Sequence, residues 1–202
     1  MITLDDKIDK VREFVKSKCD KTEWKDNVRL VDKDLTDWKY HVQLVVKYSK
    51  ILARKLGSDE EIAELGALLH DIAWIDSLKN DPTHEIIGVP MAERLLGKLG
   101  YPEKTIEEVK HCVETHKSMD SNPPKTVSAK IVANADAMAH FDSIPYLIRI
   151  GLKNNDNDLE AAVGWVRQKI ENNWRNKLTL PEAKEMMKEK YDAIRIVLGS
   201  ME

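Results

Sequence analysis

Two residues that are costly to bury stand side by side in an apolar run: His70 and Asp71, in the stretch LLHDIAW at positions 68–74. Neither side chain is accommodated away from water without a partner. The pair falls at the C-terminal end of an apolar helical pattern, where a carboxylate meets the unfavourable end of the helix dipole. A bound cation would relieve both the repulsion and the burial cost. Neighbouring helix residues point about 100° apart, so these two cannot enclose an ion by themselves. His41 is the obvious third donor, because Val42, Val45 and Val46 beside it direct it toward a core. Asp136, in KIVANADAMAHF, is a fourth: an acid surrounded by Ile131, Val132, Ala135, Ala137 and Met138. Two histidines and two aspartates, each in an apolar helix, can satisfy one another around a single divalent cation.

The elements that must position these residues read as helices throughout. Helix-period patterns fill the gaps between 8 glycines and 7 prolines, and no segment alternates as a strand does. The expected class is therefore all-α. A first helix begins near Leu4, with Ile8, Val11, Phe14 and Val15 on one face. The stretch 24–40 reads as an extended loop. A long helix follows, capped by Thr36 or Asp37 and closed at Gly57. Ser58 is expected to cap the next, with Glu61 completing a capping box and the helix running on to Trp74. Thr83 opens another, in which Pro90 is a potential kink and Gly97 or Gly100 the end. Helices over 101–119, 127–141 and 143–152 come next. Beyond a polar hinge, KNNDNDLE, two charged amphipathic helices at about 158–176 and 181–199 read as a cap that carries few site residues. The expected organisation is an N-terminal helix and loop (1–37) packed on a metal-binding core (38–155), with 156–202 as a helical extension of the same domain.

Composition narrows the function classes. The chain has 202 residues, 42% of them hydrophobic and 33% charged, with a formal net charge of −3. That balance argues against general nucleic-acid binding, which calls for a basic excess. No long uncharged apolar run is present, so no membrane span is expected. MITLDDKIDKVREF has neither the apolar segment nor the cleavage residues of a signal peptide, which points to the cytoplasm. Cys19 and Cys112 show no paired spacing and read as reduced thiols, Cys112 as a small buried one.

His41, then His70-Asp71, then Asp136, in that order on an all-α chain, resembles the HD superfamily of metal-dependent phosphohydrolases. The resemblance spans roughly residues 38–140 and extends to THEIIGVPMAERLLGKLGYPEKTIEEVKHCVETHK and KIVANADAM, which look like the corresponding helices of small single-domain members. It implies a helical bundle with a metal at its centre, held by His41, His70, Asp71 and Asp136. Some members bind a second metal through two further histidines, and by position His84 and His116 match them. Otherwise those two would bind phosphate oxygens. His111 lies five residues before His116, about 140° around the helix, and reads as structural or surface. His140 reads as structural. Where relatives place a lysine or acid soon after the His-Asp pair, this chain has Ile72, Ala73, Trp74, Ile75 and Asp76. Trp74 is thus expected to stack or form a pocket wall. Lys117 and Lys130 are the nearest cations for an anionic substrate.

The resemblance implies hydrolysis of a phosphoester or phosphoanhydride in a nucleotide or other small phosphorylated metabolite. Asp71, His84 and His116 are the expected catalytic groups. Imidazole with carboxylate suits Mn²⁺, Fe²⁺, Co²⁺, Ni²⁺ or Zn²⁺, with Mg²⁺ permitted, as one or two ions. Two other readings compete: a di-iron oxygenase of the same superfamily, and a non-catalytic metal- or nucleotide-binding regulatory module. The charged C-terminal helices could pack on their own chain or pair in a homodimer.

Overall fold

Where the sequence predicts one helix through LLHDIAW, the backbone breaks at its two chemically active residues. The computed structural model describes residues 4–21, 37–76, 83–118 and 121–199. Helix α1 spans Leu4–Lys21. A π-helical turn over Trp38–Val42 leads into α2, Gln43–Leu56. Then come α3 (Glu60–Leu69), α4 (Ile72–Asp76), α5 (His84–Lys98), α6 (Glu103–Thr115) and α7 (Val127–Asp142). After α8 (Ile144–Asn154) and α9 (Leu159–Asn172), a second π-helical turn, Asn173–Lys177, precedes α10 (Pro181–Gly199). No strand occurs among the described residues, so the fold is all-α. None of the described helices is long and apolar enough to cross a membrane.

The core forms two main clusters. One joins α2 and α7 to α8, α9 and α10 through Leu52, Met138, Leu147, Ile170 and Met187. The other packs α1 against α3, α5 and α6 through Val11, Leu65, Leu69, Leu96 and Val113. Helix α3 lies between them, and Gly66 lets it approach closely. A Cβ there would stand 2.8 Å from Cys112 Cβ and 3.0 Å from a Val132 methyl. Helix α7, entirely buried from Ser128 to Phe141 except at Lys130, is the central rod.

Local signals explain most boundaries. Gly57 ends α2 in the left-handed conformation at φ 62°, closing the helix with a bond from Ser58 N to Ala53 O of 2.9 Å. The cap of α3 is Asp59, not Ser58: its carboxylate accepts from Glu61 N and Ile62 N at 2.9 and 3.2 Å. A carboxylate suits the positive helix N-terminus better than the neutral hydroxyl one residue earlier. Asp37 precedes the first π-turn but makes no side-chain cap bond, accepting instead from the Tyr146 hydroxyl. Thr36 and most of the expected 24–40 loop lie outside the described residues. Helix α5 runs on through Pro90.

Helix α3 stops at Leu69, and His70 and Asp71 form the turn before α4. Both remain next to the core while escaping the strict 100° stagger of a continuous helix. The π-turn at Trp38–Val42 similarly widens the backbone at His41, a distortion frequent at functional sites.

Candidate metal centre

Asp71 stands between two groups of histidines, one for each carboxylate oxygen. Its Oδ2 lies 3.4 Å from His41 Nε2 and 3.3 Å from His70 Nε2. Its Oδ1 lies 3.1 Å from His84 Nε2 and 3.3 Å from His116 Nε2. His41 Nε2 is also 3.0 Å from His70 Nε2 and 3.4 Å from Asp136 Oδ1. Three overlapping sets therefore meet the geometry of an ion site: His41, His70 and Asp71; His41, Asp136 and His140; and Asp71, His84 and His116.

The ring orientations are fixed from behind. His70 Nδ1 donates to Ala67 O at 2.8 Å, and His116 Nδ1 donates to Val113 O at 2.7 Å. Both carbonyls belong to the preceding helical turn, so the backbone holds each Nδ1–H and turns each Nε2 toward the cluster. His140 Nδ1 lies 3.0 Å from the Asn173 amide nitrogen, while the buried Asn173 Oδ1 has no partner among the described residues. Reversing that amide would let Oδ1 accept the Nδ1–H and leave the other ring nitrogen for the cluster.

The charges answer one another. Burial works against the His70 imidazolium, but Asp71 outweighs it and lifts the group to about 9. Burial likewise opposes ionisation of Asp71 and Asp136. The surrounding imidazoles, with Lys177 facing Asp136, nevertheless hold both carboxyls well below the usual range. Burial keeps His116 and His140 neutral by lowering them. Two carboxylates and several imidazole nitrogens converging at 3.0 to 3.4 Å are a donor set suited to a divalent transition metal. His41, His70, Asp71 and Asp136 would hold one ion. His84 and His116, with Asp71, supply what a second would need.

A cavity of about 430 Å³ opens over this cluster. From the donor side its walls are His41, Asp71, His84, His116 and Asp136, with Trp74 edge-on to His84 at 5.4 Å between ring centroids. Lys117 also lines it and pairs with the buried Glu85. Lys130 does not: it is exposed on α7 and is not a lining residue, because its helix position faces away from the cavity. The side chain of Asp76 lies outside the described residues. His111 stays apart, accepting at Nε2 from Lys125 N at 3.0 Å.

Sequence reasoning missed the opposite wall. His140 was expected to be structural, yet its ring stacks on His41 at 5.1 Å and faces the cavity. One turn beyond Asp136 on the same helix face, it could have been suspected from the i, i+4 spacing. Tyr146 and Leu147 of α8, Trp165 and Lys169 of α9 and Lys177 of the second π-turn complete the lining. Lys177 Nζ stands 3.7 Å from Asp136 Oδ2. Their signal was hidden among the many charged residues of helices that looked solvated.

The sequence model of the HD domain matches residues 38–140, half of the chain. The chain belongs to the HD domain family. Three solved structures share its architecture at 16 to 18% identity, which speaks for the fold alone. An HD-superfamily hydrolase of Bacillus thuringiensis aligns at a TM-score of 0.69, covering 98% of this chain and 96% of that one. Bacillus subtilis YpgQ aligns at 0.68, covering 96% and 92%. A predicted HD superfamily hydrolase of an uncultured Thermotogales bacterium gives 0.63, covering 96% and 90%. In sequence, a ribonuclease Y of Acidothermus cellulolyticus is 33% identical over 89 residues, 44% of this chain. This chain spans only 16% of that protein's length.

Proposed function

We propose that this HD protein is a metal-dependent phosphohydrolase acting on a nucleotide or another small phosphorylated metabolite. The observation that carries the reading is Asp71, whose two oxygens face two separate histidine groups at the wall of a cavity of about 430 Å³. Bound there, a divalent ion supplies charge neutralisation and a water acidic enough to attack phosphorus. The chain's own residues do the rest. His70 and His116, braced by Ala67 O and Val113 O, keep their Nε2 atoms directed at the reacting region. Asp71 and Asp136 are the carboxylates placed to orient a water by accepting its proton. Lys117, Lys169 and Lys177 offer cations to phosphoryl oxygens from the same cavity, and Trp74 and Trp165 offer flat apolar walls to a base or another organic group. The mixed apolar and polar lining limits competing water around the substrate.

The test is a phosphatase and nucleotide-pyrophosphatase panel with Mn²⁺, Co²⁺, Ni²⁺ and Mg²⁺, comparing wild type with Asp71→Ala. Phosphate or pyrophosphate release that depends on added metal and on Asp71 supports the proposal. Full activity in Asp71→Ala refutes it. An oligoribonucleotide in the panel tests the activity named by the ribonuclease Y relative. The placement of Asp71 between two donor groups also favours a second reading, a di-iron oxygenase, which iron content and O₂ uptake with organic substrates would reveal.

A further inference from the structure

The donor cluster occupies only one end of the cavity, and the other end presents cations. From His84 and His116 the contacts pass through Asp71 to His41, then to Asp136, and from the second oxygen of Asp136 to Lys177 at 3.7 Å. Lys169 shares the lining with Lys177, and its Nζ lies 5.7 Å from the Trp165 ring centroid. Among the described residues no carboxylate stands within ion-pair distance of Lys169. Among the same residues, Asp136 is the sole carboxylate within that distance of Lys177. Lys117, by contrast, already has the buried Glu85. Two half-buried ammonium groups thus converge where the protein supplies one carboxylate, and that carboxylate belongs to the donor set.

We propose that Lys169 and Lys177 form a second anion subsite, which holds a phosphoryl group adjacent to the one being cleaved. The substrate class it selects is a phosphoanhydride chain of two or more phosphoryl groups. This deepens the phosphohydrolase reading and rests on it for the cleavage step. In that step the water oxygen bonds to the phosphorus at Asp71. The bridging P–O bond breaks with its electron pair on the departing phosphate, and the water's protons pass to product and solvent. The lysines then face the charge that develops on the departing group, where charge-assisted hydrogen bonds strengthen most. A lone phosphate at Asp71 would leave Lys169 without an anionic partner among the described residues and Lys177 with Asp136 alone. Whether the chain carries a nucleoside is decided at Trp165 and Trp74, the flat walls on either side.

Calorimetric titration of the Mn²⁺-loaded full chain tests this with probes that resist hydrolysis: imidodiphosphate, a β,γ-imido nucleoside triphosphate, and orthophosphate as the single-phosphoryl control. Wild type should bind imidodiphosphate at least about tenfold tighter than orthophosphate, as hydrogen bonds to charged groups allow. The double variant Lys169→Met with Lys177→Met should compress that ratio to within about threefold while keeping its metal content. Lys169→Met alone, further from the donor carboxylates, should lose part of the ratio. Tighter binding of the nucleotide analogue than of imidodiphosphate would identify a nucleoside polyphosphate, and equal binding an inorganic or simpler chain. A ratio near one in wild type overturns the subsite. So does a ratio that survives in both variants, or a loss of metal from Lys169→Met. Hydrolysis of p-nitrophenyl phosphate without any lysine-dependent preference sinks the subsite and spares the hydrolase. The preference without hydrolysis of any phosphate compound does the reverse.

Discussion

The two walls of the cavity are built on different principles. The donor wall, from the first π-turn through α7, is stiff and dry: His70, His116 and Asp136 are 0%, 3% and 5% exposed. Two of its rings are pinned by carbonyls of their own backbone. The capping wall, from α8 to the second π-turn, reaches in with long lysine stems and two aromatic rings, Tyr146 and Trp165. Of its cations, Lys177 reaches the donor set, 3.7 Å from Asp136 Oδ2. One wall holds its donor rings by burial and backbone hydrogen bonds, as metal-assisted chemistry requires. The other can adapt to the size and charge of what enters. On the proposed function, chemistry and recognition are thus separated along the chain, and the C-terminal helices line the cavity rather than only cover a core.

The sharpest way to break the contrast is at Asp71, which touches both histidine groups. Asp71→Asn should lower kcat/KM by about a thousandfold or more, since it removes a shared negative ligand from a metal-dependent step. Steady-state phosphate release would measure it. His84→Ala disturbs one group only and should cost about 10- to 100-fold, with the His41 group still able to retain an ion. Equal losses in the two variants would mean that the groups act as one.

The junction of the walls can be loosened without touching either. The Asn134 side chain accepts from Thr179 N and Leu180 N at 2.9 and 3.0 Å and donates to Lys130 O and Thr179 Oγ1 at 2.8 and 3.0 Å. It therefore ties the segment after Lys177 to α7. Asn134→Ala should cost about 3 kcal/mol, from buried groups left without partners. The urea midpoint should fall at nearly constant m. Gly66→Ala should cost about 1 to 3 kcal/mol, read as a lower Tm, because the added methyl meets Cys112 and Val132 inside a packed crossing.

A smaller effect concerns acid stability where α10 meets α2 and α7. Burial opposes the Asp142 carboxylate, but Lys190 and the Tyr48 hydroxyl offset it and lower its pKa. A native pKa below the unfolded value means a contribution complete above about pH 4 and lost as pH falls through the native value. Asp142→Asn should therefore be about 1 kcal/mol less stable than wild type near neutrality, converging with it in acid. Denaturation midpoints at several pH values would show the convergence.

How much of this could be read beforehand follows the same division. Acids and histidines in apolar helices are conspicuous, because burial makes them expensive unless something answers them. His41, His70, Asp71, His84, His116 and Asp136 are accordingly gathered into overlapping donor sets linked through His41 and Asp71. Helix periodicity made the all-α class readable as well. The break between α3 and α4 was not, since His70 keeps helical backbone angles and an apolar pattern continues on both sides. Ser58 fits the capping-box spacing, yet the Asp59 carboxylate one residue on makes the cap. Lys169, Lys177 and Trp165 were invisible for a different reason. A lysine on a charged amphipathic helix looks the same whether it faces solvent or a cavity until tertiary packing places it. Lys130, chosen for its closeness in sequence to Asp136, points the other way.

The central claim, that Asp71 is the carboxylate shared by a metal centre, is tested most directly by elemental analysis. Wild type and Asp71→Ala would be purified side by side, loaded with Mn²⁺ and dialysed, with circular dichroism confirming an intact fold. Wild type should retain about one to two ions per chain and Asp71→Ala less than about a tenth of that, as expected when a charged ligand is lost. An Asp71→Ala protein that keeps the full metal content would contradict the account.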